Sequence, residues 1–184
     1  MVFIKGVSMD RRQFIKGSFF GAVGLAGGAA IWLNTGSNQD PLTISAVMAK
    51  LDDISPATLA HKGAWDCHQI FSHCAQSIEY SMTGYPEHKS ELFKNTLGSV
   101  AFSAFATKGA MVHGLDEAIP GAPMIDAKQD SALALEHLKK SLLDFEQFDG
   151  TLQPHFAYGE LTKAEYEAAH VMHIYNHWQE IVAA

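Results

Sequence analysis

Apolar positions recur every three or four residues along most of the chain, a period that predicts amphipathic helices. The pattern predicts a short first helix over Ile44–Asp53, and then longer helices over Ala64–Met82, Ser90–Lys108, Asp130–Phe148 and Thr162–Val182. No segment shows the strict alternation of apolar and polar residues that predicts a half-buried strand. The expected fold class is therefore all-α, a four-helix bundle with a short extra helix at its N-terminal end.

Each of the four longer helices carries an apolar stripe that we expect to face the core. Glycine, or glycine with proline, follows the second, third and fourth predicted helices and marks where each should end. The stripes comprise Cys67, Phe71, Cys74 and Ile78; Phe93, Leu97, Val100 and Ala104; Leu135, Leu138, Leu142 and Phe145; and Ala164, Ala168, Val171, Tyr175, Trp178 and Val182.

The N-terminal region differs in composition from the rest of the chain. A basic pair, Arg11 and Arg12, precedes Phe14-Ile15-Lys16 and an uncharged stretch rich in Gly and Ala. This resembles a twin-arginine export signal, with Asp10 in place of Ser or Thr. We therefore predict a leader over residues 1–33, a polar linker over 34–42 and a single folded domain over 43–184. The resemblance implies an exported protein, either periplasmic or anchored in the inner membrane, facing the periplasm, by an uncleaved leader.

Charge and cysteine content exclude some partners and linkages. The net charge is -7 and no basic patch is evident, so nucleic acid is not an expected partner. Cys67 and Cys74 lie seven residues apart, which on a helix is about 10 Å along the axis and too far for a disulfide. We expect both to be free, partly buried thiols.

The histidines are the main candidates for metal binding, since the chain has 10 of them. The stretch HVMHIYNHW places His173 and His177 four residues apart on one helical face, where two imidazoles can share a metal ion. This face lies opposite the apolar stripe, so a solvated polar face is the plainer interpretation, and a groove beside the bundle would give the same pattern. His68 and His73 of the second helix could each add a third ligand, and their spacing does not choose between them.

A resemblance to a known family selects His73 over His68. Trp65, then His73 eight residues later, then a histidine pair four apart late in the last helix, resembles the DinB-like superfamily of four-helix bundles with a three-histidine metal site. A closer resemblance, to an uncharacterised exported branch of that superfamily, is carried by the stretches SIEYSMTGYP, IPGAP and PHFAYGELTKAEYE and covers residues 44–181. It implies that His73, His173 and His177 bind one divalent ion, with zinc, nickel or iron the best matches to imidazole ligands.

The chain departs from the superfamily pattern at two positions of the last helix. The usual pattern is His-x-x-His-His-x-x-Gln, and here Asn176 stands for the middle histidine and Glu180 for the glutamine. Neither change touches the three implied ligands. Both affect side chains that would surround them.

Other residues are weaker candidates. Glu79 on the second helix could act as an acid or base, and a surface carboxylate is the alternative. Tyr158 and Glu160, in the loop before the last helix, could line a site, as could His155 beside them; packing within the loop is the alternative. His113 lies in a long connection (Gly109–Gln129, hereafter the connection), where we expect a surface position and a role in a lid is the alternative.

Whether the protein is an enzyme stays open from sequence. The resemblance implies a divalent-metal-dependent transferase using a small thiol, or a hydrolase, acting on a small molecule. The alternatives are a non-catalytic metal- or ligand-binding protein of the cell envelope and a dimeric bundle whose histidines are structural relics. Homodimers are implied by the resemblance alone.

Overall fold

A computed structural model describes residues 40–183, and the leader and most of the linker predicted above lie outside the described residues. The described part is mostly helical and contains one small two-stranded sheet. Within residues 40–183, no helix combines the length and the apolar character needed to cross a bilayer.

The helices follow the predicted order along the chain. In chain order the elements are α1 (Ile44–Asp52), a 3₁₀ turn (Pro56–Thr58), β1 (Leu59–His61), α2 (Cys67–Thr83), α3 (Glu91–Phe93), a π-helical turn (Lys94–Gly98), α4 (Ser99–Lys108), α5 (Ser131–Gln147), α6 (Lys163–Trp178) and β2 (Ile181–Ala183).

Side-chain caps fix where the main helices begin. Asp66 accepts a hydrogen bond from the backbone N–H of Gln69, whose side chain accepts one from Asp66 N, and Thr162 and Glu165 make the same reciprocal pair at α6. Asp130 caps α5. Each cap satisfies backbone donors that the first helical turn leaves unpaired. The caps place the start of α2 three residues later than predicted, and those of α5 and α6 one later.

The predicted stripes of α2 and α5 form the centre of the core, which confirms them. α2 packs mainly against α5 and also against α6, while α1 contacts α5 and α6. Both cysteines are free and lie in this core, more deeply buried than predicted. The buried stripe residues are Cys67, Phe71, Cys74, Ile78, Leu135, Leu138, Leu142 and Phe145.

The prediction of no strands is wrong at the C-terminal end. The last helix stops at Trp178, and β2 pairs antiparallel with β1, with Ala60 opposite Val182. Val182 is therefore a strand residue and not part of the helical stripe. Strands of three residues are too short to show the alternation by which a strand is recognised in sequence.

The predicted stripe of the third helix is also wrong. Leu97 and Val100 are each 67 % exposed, and the segment instead contacts α6 through Phe102. The π-helical turn explains the error, because its wider turn shifts the helical phase between α3 and α4. A Cβ at Gly98 would clash with Ala157 O, so glycine lets the loop before α6 approach this turn.

The connection is tied to the start of α2. The side chain of Gln69 donates to Ile125 O at 3.1 Å, and the backbone N–H of Lys128 donates to Asp66 Oδ2 at 2.6 Å. His68 Nδ1 lies 3.0 Å from Asp126 O. The connection is thereby held beside the end of α2 that carries His73.

Candidate metal centre

Three histidines from two helices meet in the interior. His73 of α2 and His173 and His177 of α6 are exposed by 3 %, 9 % and 0 % respectively. The interpretation of the α6 histidine face as solvated is therefore wrong. Neighbouring elements cover that face, including the connection. The predicted apolar stripe of this helix is buried only at Val171, while Ala168, Tyr175 and Trp178 are half-buried and Ala164 is exposed.

The ring nitrogens of this three-histidine cluster converge on one point. His73 Nε2 lies 3.1 Å from His173 Nε2. Each residue offers a nitrogen, and these three atoms all lie within 4.8 Å of one another. The ring centroids are 4.9 to 5.0 Å apart in all three pairs. Two nitrogens bound to one tetrahedral zinc ion at 2.0–2.1 Å would lie about 3.3 Å apart, close to the observed 3.1 Å.

Burial keeps these imidazoles neutral. It lowers the pKa of His73 from 6.5 to about 3, with His113 adding a smaller effect. Burial likewise lowers the pKa of His177 to about 3, with His73 and His113 as the secondary causes. The pKa of His173 falls well below 6.5 for the same first reason. A neutral imidazole has a free lone pair, which is the form that binds a metal ion.

The cluster contains polar atoms that the described chain leaves unsatisfied. Neither ring nitrogen of His177 has a hydrogen-bond partner among residues 40–183, and the same holds for His73 Nδ1. Buried polar groups are normally paired, because an unpaired one costs about 1–3 kcal/mol. A cation bound by the ring nitrogens would give His177 a partner. The donor set thus fits a divalent ion that prefers imidazole, such as zinc, nickel or iron.

Trp65 closes one side of the cluster. Its ring meets His73 edge-on at 4.9 Å and stacks parallel to His177 at 6.0 Å. The indole lies in the segment between β1 and α2, and the resemblance implied its place near the ligands. It also makes Trp65 fluorescence a reporter for events at the cluster.

A cavity of about 500 Å³ opens beside the cluster. His73 and His173 form part of its wall. The connection contributes Met111, His113 and Ile119, and the loop before α6 contributes His155 and Tyr158. The volume suits a small molecule. A compound in this cavity would contact two of the three clustered imidazoles.

The weaker candidates divide between the cavity and the surface. Tyr158 lines the cavity, and burial raises its pKa to about 12. Glu160 is exposed and is not part of the cavity wall. Glu79 Oε1 accepts hydrogen bonds from His137 Nε2 at 2.6 Å and Ser141 Oγ at 2.9 Å, so it bridges to α5 away from the cavity.

Three further histidines line the cavity. His113 was expected at the surface; it is partly buried instead, with its ring 4.8 Å from that of His173. His155 Nδ1 accepts hydrogen bonds from the backbone N–H groups of Ala157 and Tyr158, which leaves its proton on Nε2 in the neutral ring. His170 lies within hydrogen-bonding distance of Ser81, at 3.2 Å. The loop position of His155 makes it a candidate from sequence, whereas for His170 the sequence carries no signal beyond the high histidine content.

At the two departures from the superfamily pattern, the side chains are at least partly buried. Asn176 is 4 % exposed, and its amide nitrogen has no partner among residues 40–183. One carboxylate oxygen of Glu180 is likewise buried and unpaired within that range. Both therefore lie close to the interior end of α6.

Comparison with known proteins gives a family and no activity. Residues 39–184, most of the chain, match the family described as "Protein of unknown function (DUF1569)". Neither a curated protein nor a solved structure gives a significant match. The match covers α1 to β2 and every residue of the three-histidine cluster. The chain therefore belongs to the DUF1569 family.

Proposed function

We propose that this protein binds one divalent metal ion through His73, His173 and His177 and uses it on a small molecule held in the adjacent cavity. The observation that carries the proposal is the convergence of three buried imidazoles, one of which has both nitrogens unpaired among residues 40–183. A purely structural histidine would be expected to have a partner for at least one nitrogen.

We further propose that the domain is a DinB-like four-helix bundle. Four helical segments support this, namely α2, α3 with α4, α5 and α6, with α1 as the short additional helix. The ligands come from α2 and α6, as the resemblance implies. The two-stranded sheet between β1 and β2 is an addition to that architecture.

The proposed chemistry follows from a three-imidazole site beside a cavity. When bound, a divalent ion in such a site would act as a Lewis acid that lowers the pKa of a bound water or thiol. Around it, the chain supplies a partly apolar chamber and neutral hydrogen-bonding groups. His155 offers its Nε2 proton and Tyr158 its hydroxyl proton, so these two side chains would orient a substrate that carries acceptor atoms.

This favours a metal-dependent transferase using a small thiol, or a hydrolase. The cavity supports either activity, because both need space beside the ion for a small molecule. A non-catalytic metal- or ligand-binding protein of the cell envelope is the alternative. It predicts the same metal content and no turnover with any thiol, ester or amide.

Metal content tests the proposal directly. The full chain, purified without a histidine tag and loaded with zinc or nickel, should contain about one equivalent by elemental mass spectrometry. The His73→Ala/His177→Ala double variant should contain almost none. The exposed His61→Ala is the matched control and should keep its metal. Protein without metal after loading would refute the site and leave the histidines as structural relics.

Export is a separate proposal. The Arg11-Arg12 motif and the Gly/Ala-rich stretch after it support transport by the twin-arginine route. Replacing both arginines by lysine should retain the protein in the cytoplasm, because that route recognises the arginine pair itself. Fractionation of cells expressing the two forms checks this. Retention of wild type in the membrane fraction would indicate an uncleaved leader, and equal cytoplasmic retention of both forms would contradict export.

Pairing of two copies is also proposed, and the exposed face of α3 and α4 supports it. Leu92, Leu97 and Val100 are all exposed on this segment, and exposed apolar surface favours association. The Leu97→Glu/Val100→Glu variant should halve the mass measured by light scattering. A variant at the isolated exposed Met124 is the control and should remain paired. A monomeric wild type would contradict the proposal.

A further inference from the structure

A fourth imidazole, from the connection, lies against the three-histidine cluster. The ring centroid of His113 is 4.8 Å from that of His173 and 5.1 Å from that of His177. The three clustered rings are separated by 4.9 to 5.0 Å. His113 is therefore as close to two of the cluster rings as those rings are to each other.

The hydrogen bond of His113 leaves its inner nitrogen ready to bind. His113 Nδ1 lies 2.7 Å from Gly114 O. A carbonyl oxygen can only accept, so Nδ1 carries the proton and Nε2 has the free lone pair. Metal-binding histidines commonly use a backbone carbonyl in this way, since it fixes the tautomer and the ring orientation.

His113 Nε2 is buried, and it has no hydrogen-bond partner among residues 40–183. A buried ring nitrogen without a partner is unfavourable for the folded protein. The connection is exposed three and four residues further on, at Asp116 and Glu117, so it could have turned this side chain to solvent. An ion at the cluster would give the lone pair a partner.

The ring spacing agrees with shared coordination. Four imidazoles around one tetrahedral ion, with metal–nitrogen bonds of 2.0–2.1 Å, would have centroids about 5.2 Å apart. The distances from His113 to His173 and His177 come within half an ångström of this. His113 is outside the set of nitrogens that all lie within 4.8 Å of one another, so its ring must shift to complete the four.

We propose that His113 is a fourth, exchangeable ligand of this metal site, carried on the connection. The inference rests on the proposed function. Because His113 also lines the cavity, its imidazole lies between the cluster and the space where a small molecule would bind. A coordinating molecule from the cavity would then compete with His113, and the connection would set how readily the site opens.

Cobalt titrations of the full chain, without a histidine tag, test this. His113→Ala should weaken cobalt affinity roughly tenfold or more in chelator competition, as expected when a ligand or its support is removed. It should also let azide change the visible cobalt spectrum at a lower concentration than wild type requires, because in wild type azide must first displace His113. His68→Ala is the matched control, because it removes a contact to the connection at Asp126 without removing an imidazole from the cluster.

A second variant gives a positive signal. His113→Cys should restore much of the affinity and produce a thiolate-to-cobalt charge-transfer band in the near ultraviolet, absent from wild type. Lack of that band, unchanged affinity in His113→Ala, or an equal effect of His68→Ala would overturn the inference. These failures differ from failure of the proposed function, in which wild type itself would bind no cobalt. Circular dichroism confirms that each variant is folded.

Discussion

Replacing His177 by leucine should make the protein more stable than wild type in the absence of metal. In the presence of zinc, the same variant should be less stable than wild type. His177 is fully buried and both of its nitrogens are unpaired among residues 40–183. An apolar side chain of similar size removes that desolvation cost. We expect the free energy of unfolding of His177→Leu, measured with a chelator, to exceed that of wild type by about 1–3 kcal/mol. Most core substitutions have the opposite sign.

Zinc should reverse the order. A ligand that binds only the folded state adds about 4 kcal/mol at a thousandfold excess over Kd. Wild type should gain this stabilisation and His177→Leu should gain little, because it has lost a ligand. Urea unfolding of both proteins, with chelator and with zinc, gives the four free energies. The reversal would show that His177 lowers the stability of the metal-free protein and raises that of the zinc-bound protein.

His170→Leu is the matched control on the same helix. His170 is also buried, but its Nε2 lies 3.2 Å from Ser81 Oγ. Ser81 Oγ donates to Ile78 O, so it accepts from His170 Nε2. Leucine at position 170 removes that donor, so the variant should be less stable than wild type both with chelator and with zinc. If His177→Leu also loses stability in chelator, or gains from zinc as wild type does, the cluster is structural.

Mild acid should unfold the metal-free protein. Burial lowers the pKa of His155 and of His170 from 6.5 to about 3, as it does for His73 and His177. The folded state therefore binds fewer protons than the unfolded state between these values. Stability from these groups is fully present above pH 6.5 and is lost as the pH falls from 6.5 toward 3.

The size of this effect follows from the number of buried rings. Each contributes up to about 1.4 kcal/mol per pH unit below 6.5, so several together give a slope on the order of 3–5 kcal/mol per unit. Urea midpoints at pH 7.5, 6.5 and 5.5, with chelator present, should fall steeply only across the lower interval. Because metal binding needs neutral imidazoles, zinc should be released over the same range.

Removing one buried imidazole measures its contribution to the pH dependence of stability. His155→Gln should reduce the slope of stability against pH by about one proton, since glutamine does not titrate. A flat stability profile between pH 7.5 and 5.5 would show that these rings are hydrated and not buried as described.

Local sequence determined the helices and the inward faces of α2 and α5. Periodicity and capping residues gave α1, α2, α5 and α6 with starts correct to within three residues, because both signals lie within a few positions of each end. The same periodicity placed Phe71 and Leu138 in the core. The spacing of His173 and His177 placed two imidazoles on one face, and the resemblance, not the spacing, selected His73 over His68.

Only the tertiary structure decided what covers each face. Helical periodicity says which residues share a side, and it does not say whether solvent or another segment lies against it. The polar face of α6 is buried because other segments of the chain, the connection among them, pack over it. The stripe containing Leu97 is exposed because the π-helical turn changes the phase of the helix. Contact between His113 and His173, sixty residues apart along the chain, depends on that same long-range packing.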